Sequence, residues 1–240
     1  MRVMPLAGQH VSEKLKHQLM NLTTRTEQLR QLRERPPYEV DLCGIRLKVF
    51  RDVFPPDNSD ATHALASTLQ DYHPRRALDM GCGTGFLALL LKKLGAKEVY
   101  ASDSHWPAVQ CALENVSLNP ELQPIHVVRG DLFTGMDSSL VFDLIVFNQP
   151  FYPLDHALFG MGNQGGSVII KRFLGEAASR MTNDGIILMP FRDDVPDEHN
   201  PSLIATSLGL QTRQVSSIKG SHCVHTVFEI RTCHAKRRQL

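Results

Sequence analysis

Residues 77–91 read ALDMGCGTGFLALLL, and the arrangement of the rest of the chain follows from them. A short apolar run ends at Asp79, three glycines follow within five positions, and an apolar pattern with helical spacing begins at Phe86. This pattern is typical of a buried strand, a tight turn and the first turn of a helix. Glycines let the backbone approach a ligand, and a helix N-terminus offers unpaired N–H groups. The stretch therefore predicts a site for a nucleotide-like ligand that carries a carboxylate.

The spacing of the glycines separates two kinds of nucleotide-binding turn. Gly81, Gly83 and Gly85 alternate, which gives G-x-G-x-G after an L-D pair, whereas the dinucleotide-binding turn has the spacing G-x-G-x-x-G. The stretch resembles the first motif of the class I S-adenosylmethionine (SAM) methyltransferases. This resemblance implies SAM as the cofactor, bound at the turn that contains these glycines and Cys82.

From residue 77 onward, strand and helix patterns alternate, which is typical of a parallel sheet covered on both faces. We expect the last two strands to form an antiparallel pair at the edge of that sheet. The predicted later strands are residues 98–101, 125–128, 142–147, 185–189, 212–217 and 225–231, and the predicted helices are residues 106–118, 168–181 and 201–208.

A polar residue stands at the carboxyl end of each of the first four of these parallel strands: Asp79, Asp103, Asp131 and Asn148. Ligands of open α/β sheets bind beyond these ends, so the four side chains predict one site. Asp103 follows Gly81 by 22 residues, where a carboxylate can accept hydrogen bonds from both hydroxyls of a ribose. Asp131 and the backbone beside Leu132 are expected to bracket the adenine ring.

The tetrapeptide Asn148-Gln149-Pro150-Phe151 resembles the N-P-P-Y/F motif of methyltransferases that act on planar nitrogens, namely adenine N6 and glutamine N5. Because the lone pair of such a nitrogen is delocalised, transfer needs both N–H groups held by acceptors and the nitrogen aimed at the methyl carbon. Asn148 would supply a side-chain carbonyl, Gln149 a backbone carbonyl, and Phe151 a stacking surface. Gln149 departs from the proline of the motif.

The resemblance to the HemK family of glutamine methyltransferases extends over residues 40–231. It implies an α/β, Rossmann-like class I methyltransferase fold with seven strands. The polar residues before the predicted helix at 61–69 stand where that family closes over the methionine part of SAM, and we expect Ser59 or Asp60 to contact its carboxylate or ammonium group. One of these two residues is also the expected N-cap of that helix.

These arguments give two sets of predicted site residues. The predicted catalytic residues are Asn148, Gln149, Pro150 and Phe151. The predicted SAM-binding residues are Ser59, Asp60, Asp79, Gly81, Cys82, Gly83, Gly85, Asp103, Ser104, Asp131, Leu132 and Asn148.

The length and composition predict one catalytic domain with a short extension. Residues 1–37 carry leucines at helical spacing among basic residues, which predicts a helical extension that acts as a lid or a partner surface. Residues 38–240 are the predicted SAM-binding domain, which begins with two strands and a turn at Gly44. The net charge of +1 gives no electrostatic footprint for nucleic acid, so a protein or small-molecule acceptor is favoured.

The cysteines and the hydropathy exclude other classes of protein. The five cysteines are scattered without a C-x-x-C spacing, which indicates neither a disulfide framework nor a zinc site. Residues 222–225 read HCVH, but they follow a strand pattern that separates the two histidines between its faces, so no metal is predicted. Since no apolar run approaches a membrane span and no signal pattern is present, we expect a soluble, cytosolic chain without a membrane partner.

Three functions fit these observations. The first is a SAM-dependent N-methyltransferase. The second is an enzyme for which SAM is the only substrate, such as the enzymes that cyclise SAM to azetidine-2-carboxylate and release methylthioadenosine. The third is a SAM-binding partner subunit that has lost catalysis, although the intact glycine turn and Asn148 argue against it.

Overall fold

The computed structural model describes residues 27, 30, 31, 34–151, 166–220 and 223–232. In the predicted N-terminal extension, Glu27, Arg30, Gln31 and Glu34 are helical. Arg30 forms ion pairs with Glu27 at 2.9 Å and with Glu34 at 2.7 Å, the spacing that stabilises a helix surface. The predictions for residues 1–26 and for His222 lie outside the described residues.

The order of helices and strands follows the predicted alternation. The strands are β1 (Tyr38–Leu42), β2 (Ile45–Val49), β3 (Arg76–Met80), β4 (Glu98–Asp103), β5 (Ile125–Arg129), β6 (Phe142–Phe147), β7 (Met181–Arg192), β8 (Gln211–Lys219) and β9 (Val224–Arg231). The α-helices of eight to thirteen residues are α1 (Asp60–Leu69), α2 (Phe86–Lys93), α3 (Trp106–Leu118) and α4 (Ser167–Ala177), and α5 (Pro201–Ser207) is shorter.

The central sheet has seven strands in the order β5-β4-β3-β6-β7-β9-β8. The first five are parallel, and β9 pairs antiparallel with both β7 and β8. This arrangement confirms the predicted Rossmann-like fold and the antiparallel edge pair. Strand β3 has β4 on one side and β6 on the other, so the order in which successive strands are added to the sheet reverses at β3. Ligands of open α/β sheets bind at such a reversal, so the crevice above β3 is the expected ligand site.

Both faces of the sheet are buried, which explains why the central strands are continuous apolar runs. Ala77 and Leu144 belong to a core cluster shared with α1, α2 and α3, whereas their neighbours Leu78 and Ile145 belong to a second cluster shared with α4 and α5. Successive residues of each strand thus pack against opposite helical layers. The two layers hold β3 and β6 in place beneath the crevice.

The β1–β2 hairpin is attached to the domain through two buried asparagines, Asn115 in α3 and Asn119 at its C-cap. Lys48 N–H donates to Asn115 Oδ1 at 2.7 Å, and Asn115 Nδ2 donates to the carbonyls of Lys48 and Thr84. Asn119 bonds the backbone of Arg46 in the same way. The side chain of Asn115 therefore ties the free edge of β2 to the glycine turn after β3.

The largest difference from the predicted elements lies between α4 and β7. The helix predicted at 168–181 ends at Ala177, a 3-10 turn occupies Ala178–Arg180, and β7 extends from Met181 to Arg192 instead of covering only residues 185–189. The strand is longer at its start because Met181 pairs with Phe142 of β6, and at its end because β9 pairs with its last residues, with Arg192 opposite His225. The local pattern does not reveal that β9 pairs with β7. This pairing extends β7 to the rim of the crevice.

Across the part of the chain that the structure describes, no helix combines the length and the apolar character needed to span a membrane.

Candidate functional site

A cavity of about 510 Å³ lies at the carboxyl ends of β3, β4 and β6. It brings together every predicted site residue except Gly85: Ser59, Asp60, Asp79, Gly81, Cys82, Gly83, Asp103, Ser104, Asp131, Leu132, Asn148, Gln149, Pro150 and Phe151. Gly85 is the N-cap of α2 with φ +78°, and a Cβ there would lie 3.1 Å from Ala112. Its role in the structure is the close approach of α2 to α3, and the prediction that it binds the cofactor gains no support from the cavity.

The glycine turn is held by hydrogen bonds to the neighbouring strand β4. Cys82 N–H donates to the Ser102 carbonyl at 2.9 Å, and Gly83 N–H donates to Asp103 Oδ2 at 3.0 Å. Gly81 has φ +65°, and a Cβ there would lie 3.3 Å from the Phe147 ring, so a side chain at this position would be both strained and crowded. Burial raises the pKa of the Cys82 thiol well above its ordinary value, which keeps it neutral.

Asp103 is buried and aimed by two backbone donors. His105 N–H donates to Oδ1 at 2.9 Å, and the bond from Gly83 occupies Oδ2. Burial raises the pKa of Asp103, although both backbone bonds oppose the shift. A carboxylate has about four acceptor positions, so Asp103 can still accept hydrogen bonds from a ligand's hydroxyl groups.

Asp79 is 1% exposed and lies beneath the glycine turn. Ala88 N–H, in the first turn of α2, donates to its Oδ2 at 3.0 Å. Burial, with a smaller contribution from the nearby Asp103 charge, raises the pKa of Asp79 to about 8. A cationic ligand in the cavity would favour the ionised carboxylate and reverse this shift.

We expect the pKa of Asp79 to make the unliganded protein less stable as the pH rises from about 4 to about 8. In this range the folded protein binds a proton that the unfolded chain, with an ordinary carboxyl pKa of 3.8, has released, and the stabilisation is lost as pH rises through the folded value. Asp79→Asn should therefore flatten the fall of Tm between pH 5 and pH 8. Asp71→Asn, at an exposed carboxyl, serves as the control, and parallel wild-type and Asp79→Asn curves would contradict the assignment.

The predicted adenine side contains an ion pair that the sequence did not reveal. Arg172 Nη2, on α4, lies 2.7 Å from Asp131 Oδ2. Leu132 has φ +53°, a conformation that is strained for a non-glycine residue, and its carbonyl accepts a bond from Ser102 Oγ at 3.3 Å. The contacts that these two residues make with adenine stay predictions.

Asn148 is positioned by α1. Its Nδ2 donates to Thr62 Oγ1 at 3.0 Å. Thr62 is 4% exposed and lies in the first turn of α1, where its own N–H donates to the capping Ser59 Oγ at 3.1 Å. Ser59 is thus the predicted N-cap, and the bond to Thr62 uses the nitrogen of the Asn148 amide and leaves its carbonyl oxygen as an acceptor.

Thr62 was not among the predicted site residues, and we expect its loss to slow catalysis without weakening SAM binding. Thr62→Val keeps the shape of the side chain and removes the partner of Asn148, so kcat should fall about tenfold or more, the cost of one lost positioning bond, while Thr62→Ser should retain activity. Thr68→Val is the matched control, because Thr68 is similarly buried in α1 and, among the described residues, its hydroxyl bonds only to the Ala64 carbonyl. A Thr62→Val enzyme with normal kcat would exclude this role.

Gln149 and Phe151 of the tetrapeptide are buried, whereas Pro150 is partly exposed. Gln149 is 1% exposed and its Nε2 donates to the Pro190 carbonyl at 2.6 Å. Phe151 is 6% exposed, packs in an apolar cluster with Phe191, and has the Arg192 guanidinium 5.9 Å from its ring centroid. Its stacking role stays a prediction, since most of the ring is covered in this conformation.

Residues from both ends of the chain complete the cavity wall, and sequence reasoning did not assign them to the site. Gln31 and Arg35 line the cavity from the N-terminal side, and Arg192, Cys223 and His225 line it from β7 and β9. The HCVH run at residues 222–225 contributes Cys223 and His225 to this wall. Its alternation correctly put Cys223 and His225 on one face, where Sγ and Nε2 are 3.3 Å apart.

The residues present fit SAM. The glycine turn leaves room where a Cβ would intrude, and Asp103 offers acceptors for the ribose hydroxyls. Asp79 and Asp60 place carboxylates in a cavity that must hold a positively charged molecule. Each buried side-chain N or O atom that lacks a hydrogen-bond partner in the described residues belongs to a residue of this cavity wall: His105 Nε2, Gln149 Oε1 and His225 Nδ1.

Comparison with known proteins agrees with this geometry. Residues 45–214 match the family model described as methyltransferase small domain. A putative protein N5-glutamine methyltransferase of Methanocaldococcus jannaschii is 30% identical over 156 residues, which cover 62% of this chain and 76% of that protein. Ribosomal protein L11 methyltransferase of Streptococcus pneumoniae is 45% identical over 71 residues, and the match spans only 22% of its length.

Solved structures show the same fold at low sequence identity. The Thermus thermophilus 16S rRNA N2 G1207 methyltransferase, in complex with AdoMet and guanosine, superposes with a TM-score of 0.60 and 20% identity over 82% of this chain and 50% of that chain. The E. cuniculi Mtq2–Trm112 complex, described as methylating the eRF1 termination factor, gives a TM-score of 0.53 and 20% identity over 75% of this chain and 99% of that chain. The chain belongs to the methyltransferase small domain family and is a SAM-dependent transferase.

Proposed function

We propose that the protein is an N-methyltransferase whose acceptor is a planar amide or an amine nitrogen of a protein or small molecule. The observation that carries the proposal is the fixed orientation of Asn148. Its side-chain nitrogen donates a hydrogen bond to Thr62, and Asn148 lines the cavity together with the glycine turn. An oriented carbonyl at this place is what an N–H acceptor nitrogen requires.

The residues of the chain would bind, orient and shield the reactants. SAM supplies an electrophilic methyl group on its sulfonium. Asp103 and the glycine turn would hold the nucleoside part, and Asn148 Oδ1 with the Gln149 carbonyl would hold the N–H groups of the acceptor. Transfer to a neutral nitrogen needs orientation and carbonyl dipoles that favour the positive charge developing on it, and needs neither a metal nor a strong base. The methylated nitrogen would then release one proton to solvent.

The charges of the cavity favour a protein or small-molecule acceptor over nucleic acid. Its lining includes five aspartates and two arginines. Asp131 is paired with Arg172 at 2.7 Å and Arg192 with Asp194 at 2.6 Å, so one charge of each sign is offset by a neighbour. Carboxylates repel phosphate groups, so the lining does not suit a nucleic-acid backbone. The relative from Methanocaldococcus jannaschii, which is named as a protein N5-glutamine methyltransferase, supports the same choice.

A second candidate is an enzyme that uses SAM alone. The observation that favours it is the contribution of Gln31 and Arg35 to the cavity wall. Tyr38 OH donates to Asp57 Oδ1 at 2.6 Å and fastens the chain just after Arg35 to the turn before α1. If the N-terminal residues close the cavity, less room is left for a separate acceptor molecule.

One incubation separates the two candidates. The purified protein is incubated with SAM alone, and the nucleoside product is identified by mass spectrometry against a boiled-enzyme control. Methylthioadenosine would mean that SAM reacts within its own aminobutyrate chain and would contradict methyl transfer. S-adenosylhomocysteine that forms only after a release-factor fragment or an amine is added would support the proposal.

A further inference from the structure

The two arginines of the cavity wall differ in their partners. The side chain of Arg192 is 13% exposed, and both oxygens of Asp194 accept hydrogen bonds from its guanidinium, at 2.9 and 2.6 Å. Arg35 is exposed, lines the same cavity, and forms no ion pair with any residue that the structure describes. Because a guanidinium stays protonated in proteins, Arg35 brings to the cavity a positive charge that none of the described carboxylates pairs with.

The β1–β2 hairpin places Arg35 beside the turn that precedes α1. Tyr38 pairs antiparallel with Val49, so the chain enters β1 beside the point where it leaves β2, and residues 52–54 after β2 also line the cavity. The Arg35 guanidinium carbon lies 5.5 Å from the centroid of the Tyr38 ring, within the range of a cation–π contact. The Tyr38 hydroxyl donates to Asp57 Oδ1 at 2.6 Å. One side chain thus connects Arg35 to the turn before α1.

The charges of this region decide which end group of SAM suits Arg35. The aminobutyrate chain of SAM ends in a carboxylate and an ammonium group. Ser59 and Asp60, the predicted contacts of this end, follow Asp57 by two and three residues, and the Asp60 carboxylate attracts an ammonium and repels a carboxylate. Since the cavity wall holds five aspartates, a bound carboxylate needs a cationic partner. The planar guanidinium of an arginine matches a carboxylate through two parallel hydrogen bonds.

We propose that Arg35 binds the carboxylate of SAM and that Tyr38 supports the Arg35 side chain in this position. The ammonium group would then lie on the Asp60 side of the same turn. The N-terminal residues are thereby part of the cofactor site, in addition to limiting the room for an acceptor. The inference requires that the cavity binds SAM, but it does not require that the methyl group is transferred.

Binding measurements test this contact without turnover. Calorimetry measures the affinity of S-adenosylhomocysteine and of its decarboxylated analogue, which keeps the amino group and lacks the carboxylate. Arg35→Met removes the charge and the hydrogen-bond donors at similar length, and Arg35→Lys keeps the charge without the planar fork. Arg30→Met is the matched control, because Arg30 belongs to the same N-terminal segment but pairs with Glu27 and Glu34 and lies outside the cavity lining.

The wild type should bind S-adenosylhomocysteine about tenfold more tightly than the decarboxylated analogue, the scale of one hydrogen bond to a charged group. Arg35→Met should lose this preference and bind the analogue as the wild type does, whereas Arg35→Lys should retain part of the preference and Arg30→Met all of it. Unchanged affinity for the analogue shows that the variant is folded and its cavity intact. The two nucleosides also test the unmodified protein, so the proposal does not depend on a variant that folds.

Three results would overturn the proposal. The first is a wild-type protein that binds both nucleosides alike, and the second is an Arg35→Met variant that keeps the preference or loses affinity equally for both. The third is a retained preference together with weaker binding of a carboxylate-bearing acceptor, which would assign Arg35 to the acceptor. An Arg35-dependent preference in a protein that forms only methylthioadenosine from SAM would retain the carboxylate contact and refute methyl transfer, so the two failures are distinguishable.

Discussion

Asn148→Ala is expected to lower kcat about 100-fold or more and to leave the dissociation constant of SAM within about threefold of the wild-type value. Removing one oriented polar group that acts on the developing charge commonly costs a factor of this size. Asn148 Oδ1 is such a group, since Thr62 fixes the amide through its nitrogen. The glycine turn and Asp103, which would hold the nucleoside, form their hydrogen bonds without Asn148.

The measurement is a comparison of single-turnover rates with SAM affinity from calorimetry, using the acceptor found by product analysis. Asn58→Ala is the control, because Asn58 also lines the cavity but its Nδ2 donates to the neighbouring Asp57 at 3.1 Å. Equal losses of rate and of SAM affinity in Asn148→Ala would assign Asn148 to cofactor binding instead of acceptor binding.

Local sequence patterns were sufficient to predict the parallel part of the sheet. The boundaries of β6 and α3 agree with the prediction to the residue, because each is a clear apolar run or helical stripe bounded by turn residues. The four polar strand ends also meet at one cavity, as expected for parallel strands with a common carboxyl edge. This part of the site follows from periodicity and topology alone.

Contacts between residues far apart in the sequence could not be predicted from local patterns. The Asn148–Thr62 bond joins residues 86 positions apart, and Thr62 is an ordinary helix residue in the sequence. Likewise, the length of β7 and the entry of His225 into the cavity depend on the pairing of β7 with β9. The pairing of residues across a sheet is decided by tertiary structure, so the strand propensity of a segment does not predict it.

Gly130 is a glycine whose contacts local sequence patterns did not predict. The predicted site includes Gly81, Gly83 and Gly85, whose spacing forms a motif, and does not include Gly130, which follows β5. In the structure, its N–H donates to the Asp103 carbonyl at 3.0 Å. A Cβ on Gly130 would lie 1.8 Å from the Thr134 carbonyl oxygen, which makes it the most crowded glycine in the described part of the chain.

Gly130→Ala is therefore expected to destabilise the protein by about 3 kcal/mol, the upper range for overpacking, and to lower Tm by about 6 to 12 °C at this chain length. The crowding atom belongs to the backbone, so the turn between Asp131 and Thr134 has to open. That turn is closed by the bond from Asp131 N–H to Thr134 Oγ1 at 2.7 Å, and it carries Leu132 into the cavity wall. SAM affinity should fall together with Tm.

Gly175→Ala separates this crowding from the general effect of replacing a glycine. Gly175 is exposed in α4, and a Cβ there would meet no atom within 4 Å, so the same substitution should stabilise the protein by about 0.5 to 1 kcal/mol through helix propensity. Thermal unfolding of both variants, with and without S-adenosylhomocysteine, gives the comparison. A Gly130→Ala protein with wild-type Tm and wild-type affinity would show that the turn relaxes at no cost, and that Asp131 and Leu132 do not depend on it to reach the cavity. If Tm falls and the affinity is retained, the turn contributes to stability only, and the predicted adenine contacts of these two residues would have to be abandoned.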